Sequence, residues 1–116
     1  MNRIAAIILS VIVSSMSFAE PARAATGHEA NCSVTNINWT PPGVINLVCA
    51  SGNVYLAFIS GYSNAGTCQT TDMDTLKVYE SLGITARASQ LSVTVWYDTA
   101  CGRANGMITS LELTGN

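Results

Sequence analysis

Alternating hydrophobic and polar positions near the C-terminus predict the last two strands of the chain. The odd-numbered positions of residues 91–97 are apolar or aromatic, and those of residues 107–113 continue the alternation. Successive side chains of a strand point to opposite faces, so this pattern is typical of strands with one buried face. Asn105-Gly106 is a turn pair that leads into the final strand. The predicted inward set is Leu91, Val93, Val95, Tyr97, Met107, Thr109, Leu111 and Leu113.

Two hydrophobic runs in the middle of the chain predict a β-hairpin. The segment GVINLVCASGNVYLAFIS, residues 43–60, places an apolar run on each side of a Ser-Gly-Asn turn at residues 51–53. Both runs are almost continuously apolar, which indicates burial on both faces or a tightly curved sheet. Before them, residues 32–40 alternate as an earlier strand that a Pro-Pro-Gly sequence ends. Residues 25–31 lack a period and are predicted to form a loose tail.

A helix is predicted between these strands, in part of residues 70–90. Thr71 or Asp72 is a suitable N-cap, and the later positions have helical spacing. Gly83 and its β-branched neighbours weaken a long helix, so the prediction is a short strand over residues 75–79 followed by a short helix. About five strands and one short helix fit a small, mainly β, OB-like, partly closed barrel better than a sandwich, which needs about seven strands.

The N-terminus has the layout of a secretory signal peptide. Residues 1–3 are a basic start, residues 4–13 are an apolar run, and Ala22-Arg23-Ala24 is an A-x-A cleavage site. Cleavage after Ala24 is preferred, with Ala19 as the other site, and the apolar run is shorter than the ~20 residues that cross a bilayer. The prediction is a signal peptide over residues 1–24 and a single small domain over residues 25–116, secreted or periplasmic, with no membrane span once the signal is removed.

Charge excludes one class of partner. Residues 25–116 carry three basic and six acidic side chains, a net charge of −3, and the basic ones form no run. Because binding to phosphates depends on clustered lysine and arginine, nucleic acid is not an expected partner. The three basic residues are Lys77, Arg87 and Arg103.

Four cysteines follow the predicted signal peptide, and an even number in a small exported domain predicts two disulfides. Gaps of 17, 19 and 33 residues do not match the close pairs of a structural zinc site, so no metal is expected. Sequence alone permits three connectivities. The strand layout favours Cys32–Cys49, which joins the first strand to the second, and Cys68–Cys101, which joins the loop after the hairpin to the turn before the last strand.

Few side chains are suited to catalysis. His28 is the only histidine and falls in the predicted tail, and no cysteine is expected to be free, so serine and cysteine triads lack their parts. Asp72 and Asp74 are interpreted as helix-capping carboxylates, and Asp98 as a turn-former. No catalytic residue, cofactor or enzymatic activity is predicted.

Aromatic and amide side chains are the candidates for binding. Aromatic rings stack on apolar sugar faces and on protein surfaces, and neutral amides add hydrogen bonds, which favours a glycan or a protein over a charged ligand. For each of the two tryptophans, a place in the core is the favoured alternative, since large aromatic residues are highly buried on average. The candidates are Trp39, Tyr62, Asn64 and Trp96.

The chain resembles small exported bacterial proteins that are similar in plan to the OB-fold B subunits of A–B toxins. The segments that carry the resemblance are the hairpin GVINLVCASGNVYLAFISG, the following GTC, the helical SLGITARASQ and the strand LSVTVWYD. The resemblance covers residues 43–113 and includes a helix before the final strands, a disulfide and a V-x-V-x-Y strand. It implies a ring-forming homo-oligomer that binds glycans. Cys32 and Cys49 lie outside this pattern, and no sugar-contacting position transfers by motif.

The sequence therefore predicts a disulfide-stabilised binding module whose partner is a glycan or another protein. Two alternatives stay open. One is an inhibitor that inserts a rigid loop, such as residues 61–67, into an enzyme's cleft. The other is a structural envelope protein.

Overall fold

Five strands and one helix form the regular structure of the computed structural model, which describes residues 26–115. The predicted signal peptide over residues 1–24 lies outside the described residues. No helix within the described range has both the length and the apolar character needed to cross a membrane. In chain order the elements are β1 (Thr26–Thr40), β2 (Val44–Cys49), β3 (Val54–Phe58), α1 (Met73–Ser89), β4 (Ser92–Asp98) and β5 (Met107–Gly115).

The strands close into a barrel in the order β1-β2-β3-β5-β4. Neighbouring strands are antiparallel except β3 and β5, which run parallel and meet at Leu56 and Met107. Strand β1, at 15 residues, is long enough to pair with β4 through its first half and with β2 through its second, which closes the ring. The predicted mainly β, OB-like barrel with one helix is confirmed.

Alternation along the strands directs one set of apolar side chains into the barrel. In β2, Ile45 and Leu47 are fully buried, whereas the positions between them are half-buried. The hairpin is almost continuously apolar because its outer positions are also partly covered, so one face is core and the other is semi-exposed. Other members of the core are Val34, Tyr55, Leu76, Tyr79, Val93, Val95, Ile108 and Leu111.

The prediction of a loose tail over residues 25–31 is wrong, because β1 begins at Thr26 and pairs with β4 from that residue. The register then shifts between Glu29 and Cys32, where Asn31 has a left-handed φ of 57°. A bulge of this kind adds residues to one strand and breaks the alternation of its side chains. The interrupted pattern is what concealed the strand in the sequence.

A single helix, α1, replaces the predicted short strand over residues 75–79 and the short helix after it. The Asp72 side chain caps the first turn by accepting the N–H of Thr75 at 3.3 Å. Gly83 lies where α1 packs on β1, and a Cβ there would collide with the Ile37 side chain. Close packing of helix on strand therefore explains a glycine whose helix propensity is poor. The buried face of α1 also contains Leu76, Tyr79 and Ala86.

The predicted inward face of the last strand is correct at Met107 and Leu111, which are buried, and wrong at positions 108 and 109. Ile108, which was expected to face outward, is buried, and Thr109, which was expected to face inward, is exposed. The pairing between β4 and β5 shifts here, since Trp96 is opposite Ser110 and Tyr97 is opposite Ile108. Thr109 is the extra residue of this bulge, which changes the face on which the start of β5 presents its side chains.

Both predicted disulfides are confirmed. Cys32–Cys49 joins β1 to β2 inside the core, where each residue is 1% exposed. Cys68–Cys101 joins the loop after β3 to the loop between β4 and β5. In the chain-entropy model, the shorter loop adds about 3 kcal/mol and the longer about 4 kcal/mol to the free energy of unfolding. A core of this size needs such support, because small domains bury a modest share of their surface.

A hydrogen-bonded carboxylate ties the start of β1 to the turn between β2 and β3. Glu29 accepts hydrogen bonds from the hydroxyls of Ser51 and Tyr55, each at 2.7 Å. It also accepts the side-chain amide of Asn53 at 2.9 Å. Burial acts to raise the pKa of Glu29, but the three hydrogen bonds outweigh it and lower that pKa below the usual 4.5. Burial and the hydrogen bond to this carboxylate raise the pKa of Tyr55, so the tyrosine remains a donor.

We expect Tyr55→Phe to lower the free energy of unfolding by about 1–2 kcal/mol at pH 7, because the carboxylate loses a donor. The folded-state pKa of Glu29 is depressed, so its stabilisation is present above the unfolded-state pKa and is lost as the pH falls through the folded-state pKa. The difference between variant and wild type in urea denaturation should therefore shrink from pH 7 to pH 3. Tyr62→Phe, outside this network, is the matched control. Equal differences at both pH values would contradict the role given to Glu29.

Candidate functional site

Two loops meet beside the barrel and form a pocket of about 120 Å³. One loop, residues 59–72, connects β3 to α1, and the other, residues 99–106, connects β4 to β5. The bond that joins the loops also positions the pocket, because much of the lining is next to Cys68 or Cys101 in sequence. The lining residues are Thr67, Gln69, Asp98, Ala100, Cys101 and Met107.

The loop over residues 59–72 is held against the barrel as well as against its partner loop. The N–H of Thr71 donates to the carbonyl of Phe58 at 2.9 Å, next to the end of β3. The side chain of Gln69 donates to the carbonyl of Ile108 in β5 at 3.4 Å. The pocket is therefore built on elements that are fixed before any ligand arrives. A small apolar cluster underlies both loops and comprises Phe58, Ala65, Cys68 and Met107.

The pocket combines neutral hydrogen-bonding groups with one charged side chain. Thr67 offers a hydroxyl and Gln69 an amide, while Ala100 and the disulfide supply apolar surface. Asp98 is the charged residue of the lining, and its Oδ1 accepts the N–H of Ala100 at 2.7 Å, which fixes the carboxylate in the turn. Such a set is suited to a ligand rich in hydroxyl groups.

The basic side chains lie on other features. Arg103 belongs to the loop over residues 99–106, but its guanidinium lies over the Phe58 ring, 5.5 Å from the centroid, within the range of a cation–π contact. Lys77 and Arg87 belong to α1. The lining of the pocket therefore contains no basic residue.

Trp96 lies on the outer face of β4, two residues before Asp98. It is 36% exposed, and His28 of β1 stacks on it with the ring centroids 6.2 Å apart. The placement of His28 in a tail is wrong, since the register pairs it with Trp96. The strand rise separates the Cα atoms of Trp96 and Asp98 by about 7 Å, and Trp96 is not among the residues that line the pocket.

The four residues predicted to bind do not form one cluster. Trp39 is half-buried and packs against the main core. Tyr62 is half-buried, with its ring 5.0 Å from that of Phe58, and Asn64 is exposed further along the same loop. Tyr62 and Asn64 thus belong to the loop that forms one wall of the pocket, and Trp96 belongs to the strand that leads to the other. Their part in binding stays a prediction.

Most of the pocket lining is not predictable from the sequence. The backbone hydrogen bond of Asp98 confirms its predicted role in a turn, but nothing in the sequence places this side chain in a pocket. A usable signal is the position of Thr67 and Gln69 on either side of Cys68. Residues that flank the two ends of a disulfide lie together in space, so the predicted Cys68–Cys101 pairing already brought the two loops into contact.

One group of potential metal ligands lies close together within residues 26–115. The carboxylate of Glu29 and the sulfurs of Cys32 and Cys49 are within 4.8 Å of one another. The sulfurs are bonded to each other and present no thiolate, which is the form that binds metals. We assign no metal site to this group.

Mild reduction should open Cys68–Cys101 before Cys32–Cys49. Thiol–disulfide exchange depends on access to a sulfur, and Cys101 is half-buried at the pocket whereas Cys32 and Cys49 are each 1% exposed. The partly reduced protein should keep the far-UV spectrum of the barrel but melt earlier, in line with the loss of about 4 kcal/mol of loop constraint.

Alkylation and peptide mapping at increasing concentrations of a thiol reductant check this order. The double variant Cys68→Ser/Cys101→Ser is the matched control and should melt like the partly reduced protein. Simultaneous loss of both bonds would show that the pocket disulfide is no more accessible than the core one.

No protein-family model and no curated protein matches this chain, but solved structures share its architecture. The cholera toxin-like B subunit from Citrobacter freundii is 11% identical, with 78% of this chain and 86% of that chain covered and a TM-score of 0.53. The B subunit of human heat-labile enterotoxin from E. coli, carrying a peptide with anti-HSV activity, is 8% identical, with 84% and 92% covered and a TM-score of 0.57. The porcine E. coli heat-labile enterotoxin B-pentamer, in complex with lacto-N-neohexaose, is 5% identical, with 78% and 87% covered and a TM-score of 0.57.

At sequence identities this low, structural similarity establishes the fold alone. The predicted resemblance to toxin B subunits is confirmed at that level: the chain has the barrel-and-helix fold of the cholera-type and heat-labile enterotoxin B subunits.

Proposed function

We propose that the protein is an exported, non-catalytic binding module whose disulfide-tied pocket holds a terminal sugar of a glycan. The pocket beside Cys68–Cys101 carries this proposal, because it combines hydroxyl and amide groups with apolar surface on ordered loops. Sites of this composition orient a ligand through a few well-placed polar groups. A sugar ring has hydroxyls at its edge and apolar CH groups on its faces, and so matches both parts of the lining.

Trp96 extends the proposed site along the outer face of β4. Its exposed indole, stacked on His28, presents a flat apolar surface. Aromatic rings pack well against the apolar faces of sugars. Because Trp96 lies two residues before Asp98 on β4, we propose that a glycan whose terminal sugar occupies the pocket extends its next sugar toward the indole.

The shared fold supports a glycan as the class of ligand. The porcine heat-labile enterotoxin B-pentamer has this architecture and was solved in complex with lacto-N-neohexaose. A fold by itself hosts many functions, so the proposal depends first on the pocket and takes only the ligand class from the likeness.

The proposal includes an extracellular or periplasmic location and a non-catalytic role. Two disulfides and a toxin B-subunit-like fold fit an extracellular or periplasmic protein. We propose secretion or periplasmic export through the signal peptide predicted over residues 1–24. A non-catalytic role is supported because His28 stacks on Trp96 and the four cysteines are bonded, so neither residue type supplies a nucleophile paired with a base within residues 26–115.

Trp96→Ala and Gln69→Ala should each weaken binding of an N-acetyllactosamine-terminated glycan about tenfold, roughly 1.4 kcal/mol, because one removes the stacking surface and the other a hydrogen-bonding group. Surface plasmon resonance on the oxidised protein measures this loss. Asn38→Ala, an exposed polar position outside the pocket lining, should bind like wild type. Unchanged circular dichroism confirms folding of the variants. Equal affinities in all three variants, or no binding by wild type to any glycan of an array, would sink the proposal.

We also propose that the barrel assembles with copies of itself through α1. The helix exposes Val78 and Ile84, which are 54% and 52% exposed. An open groove of about 350 Å³ adjoins Ile84 and is also lined by Ile37, Arg87 and Ala88. Exposed apolar side chains beside a groove are typical of interaction surfaces. A relative of the same fold, the porcine enterotoxin B subunit, was solved as a pentamer.

Light scattering after size exclusion should give the wild type a mass that is a multiple of the monomer mass. Ile84→Glu should shift it to the monomer, because the contact would bury an unpaired charge. Asn64→Glu, an exposed position on the loop over residues 59–72, adds the same charge away from α1 and should keep the assembly. A monomeric wild type, or an Ile84→Glu variant that still assembles, would contradict this contact.

A further inference from the structure

We propose that the pocket selects a neutral sugar and rejects sugars that carry a carboxylate, such as sialic acids; this inference rests on the proposed function. It follows from the charges around the site. Asp98 is the charged residue of the lining, and its polar neighbours Thr67 and Gln69 are neutral. A ligand carboxylate that enters the pocket meets a like charge, and the lining holds no basic side chain to offset the repulsion.

None of the three basic residues within residues 26–115 lines the pocket that contains Asp98. Lys77 and Arg87 belong to α1, and Arg87 lines the groove beside that helix. Arg103 is nearer in sequence, but its guanidinium is engaged with the ring of Phe58 and contributes no surface to the pocket. Asp98 is therefore the charged side chain that a ligand meets in the lining itself.

The path from the pocket over Trp96 also lacks a fixed positive charge. Trp96 lies between His28 of β1 and Ser110 of β5. Thr94 and Glu112 form a neighbouring pair of β4 and β5, and Glu112 is exposed. A second sugar over the indole thus lies beside His28 and Ser110 and next meets the carboxylate of Glu112.

Asp98 also favours binding of a neutral sugar, because its carboxylate accepts hydrogen bonds from sugar hydroxyls. An ionised carboxylate is an acceptor, and its hydrogen bonds from hydroxyl groups are stronger than those between neutral partners. Its Oδ1 already accepts the N–H of Ala100, so the group is oriented before the ligand arrives and little freedom is lost on binding. The side chain that attracts sugar hydroxyls is the one that repels a sugar carboxylate, which makes Asp98 the residue that sets specificity.

The test compares N-acetyllactosamine with its sialylated form by surface plasmon resonance at pH 8 and low salt. We expect the neutral glycan to bind at least tenfold more tightly, and the ratio to fall as salt screens the repulsion. In Asp98→Asn the ratio should fall to about threefold or less, with the sialylated glycan gaining affinity, since asparagine keeps an acceptor for Ala100 and loses the charge. Glu80→Gln removes the same charge from α1 and should keep the wild-type ratio.

The possible results separate this inference from the function beneath it. Equal or tighter binding of the sialylated glycan by wild type would overturn the inference and leave glycan binding intact. A preference that neither salt nor Asp98→Asn changes would overturn it as well, because ligand size would then be the cause. If wild type binds no glycan, neutral or acidic, the proposed function fails and the inference fails with it. Thermal melts establish that each variant is folded.

Discussion

The junction between β3 and β5 is the contact on which the rest of the structure depends. Strand β3 has five residues and meets β5 as a parallel neighbour at one register pair, Leu56 with Met107. Backbone hydrogen bonds of 3.0 and 2.9 Å also join β3 to the turn before β5. A barrel closed by so short a ladder needs the chain beyond β3 to stay in place. Residues 59–72 are held there by the hydrogen bonds of Thr71 to Phe58 and of Gln69 to Ile108, and Cys68–Cys101 also ties them to the loop that leads into β5.

The two disulfides therefore act at different levels. Cys32–Cys49 lies in the core, where it restricts the unfolded chain and supports a barrel that has few residues to bury. Cys68–Cys101 lies at the surface beside a separate apolar cluster, and it shapes the pocket as well as the closure. A site whose walls are held by a covalent bond loses little conformational freedom when a ligand binds. Stability and recognition thus share one structural element.

Features that depend on neighbouring residues could be predicted from the sequence, whereas features that depend on contacts between distant residues could not. The β2–β3 hairpin and β4 were predictable because alternation and turn residues are local signals. The first half of β1 was not predictable because the bulge at Asn31 interrupts its alternation. The full length of α1 was not predictable because Gly83 disfavours a helix, and this glycine is needed only for close packing against Ile37, which is distant in the sequence. The pocket required knowledge of two loops at once. Asp98 and Gln69 are ordinary polar residues in the sequence and acquire a common role only through tertiary contact.

A small pocket connects the two proposals about ligand and assembly. With a volume of about 120 Å³ and three polar side chains, one pocket offers a glycan few contacts, so its affinity alone is weak. In the proposed assembly, contacts through α1 would leave every pocket free, since the groove and the pocket share no lining residue. A cyclic arrangement of the copies would point all pockets in the same direction. Once one pocket is occupied, the others bind from a high effective concentration on a glycan-bearing surface, and many weak contacts give strong attachment.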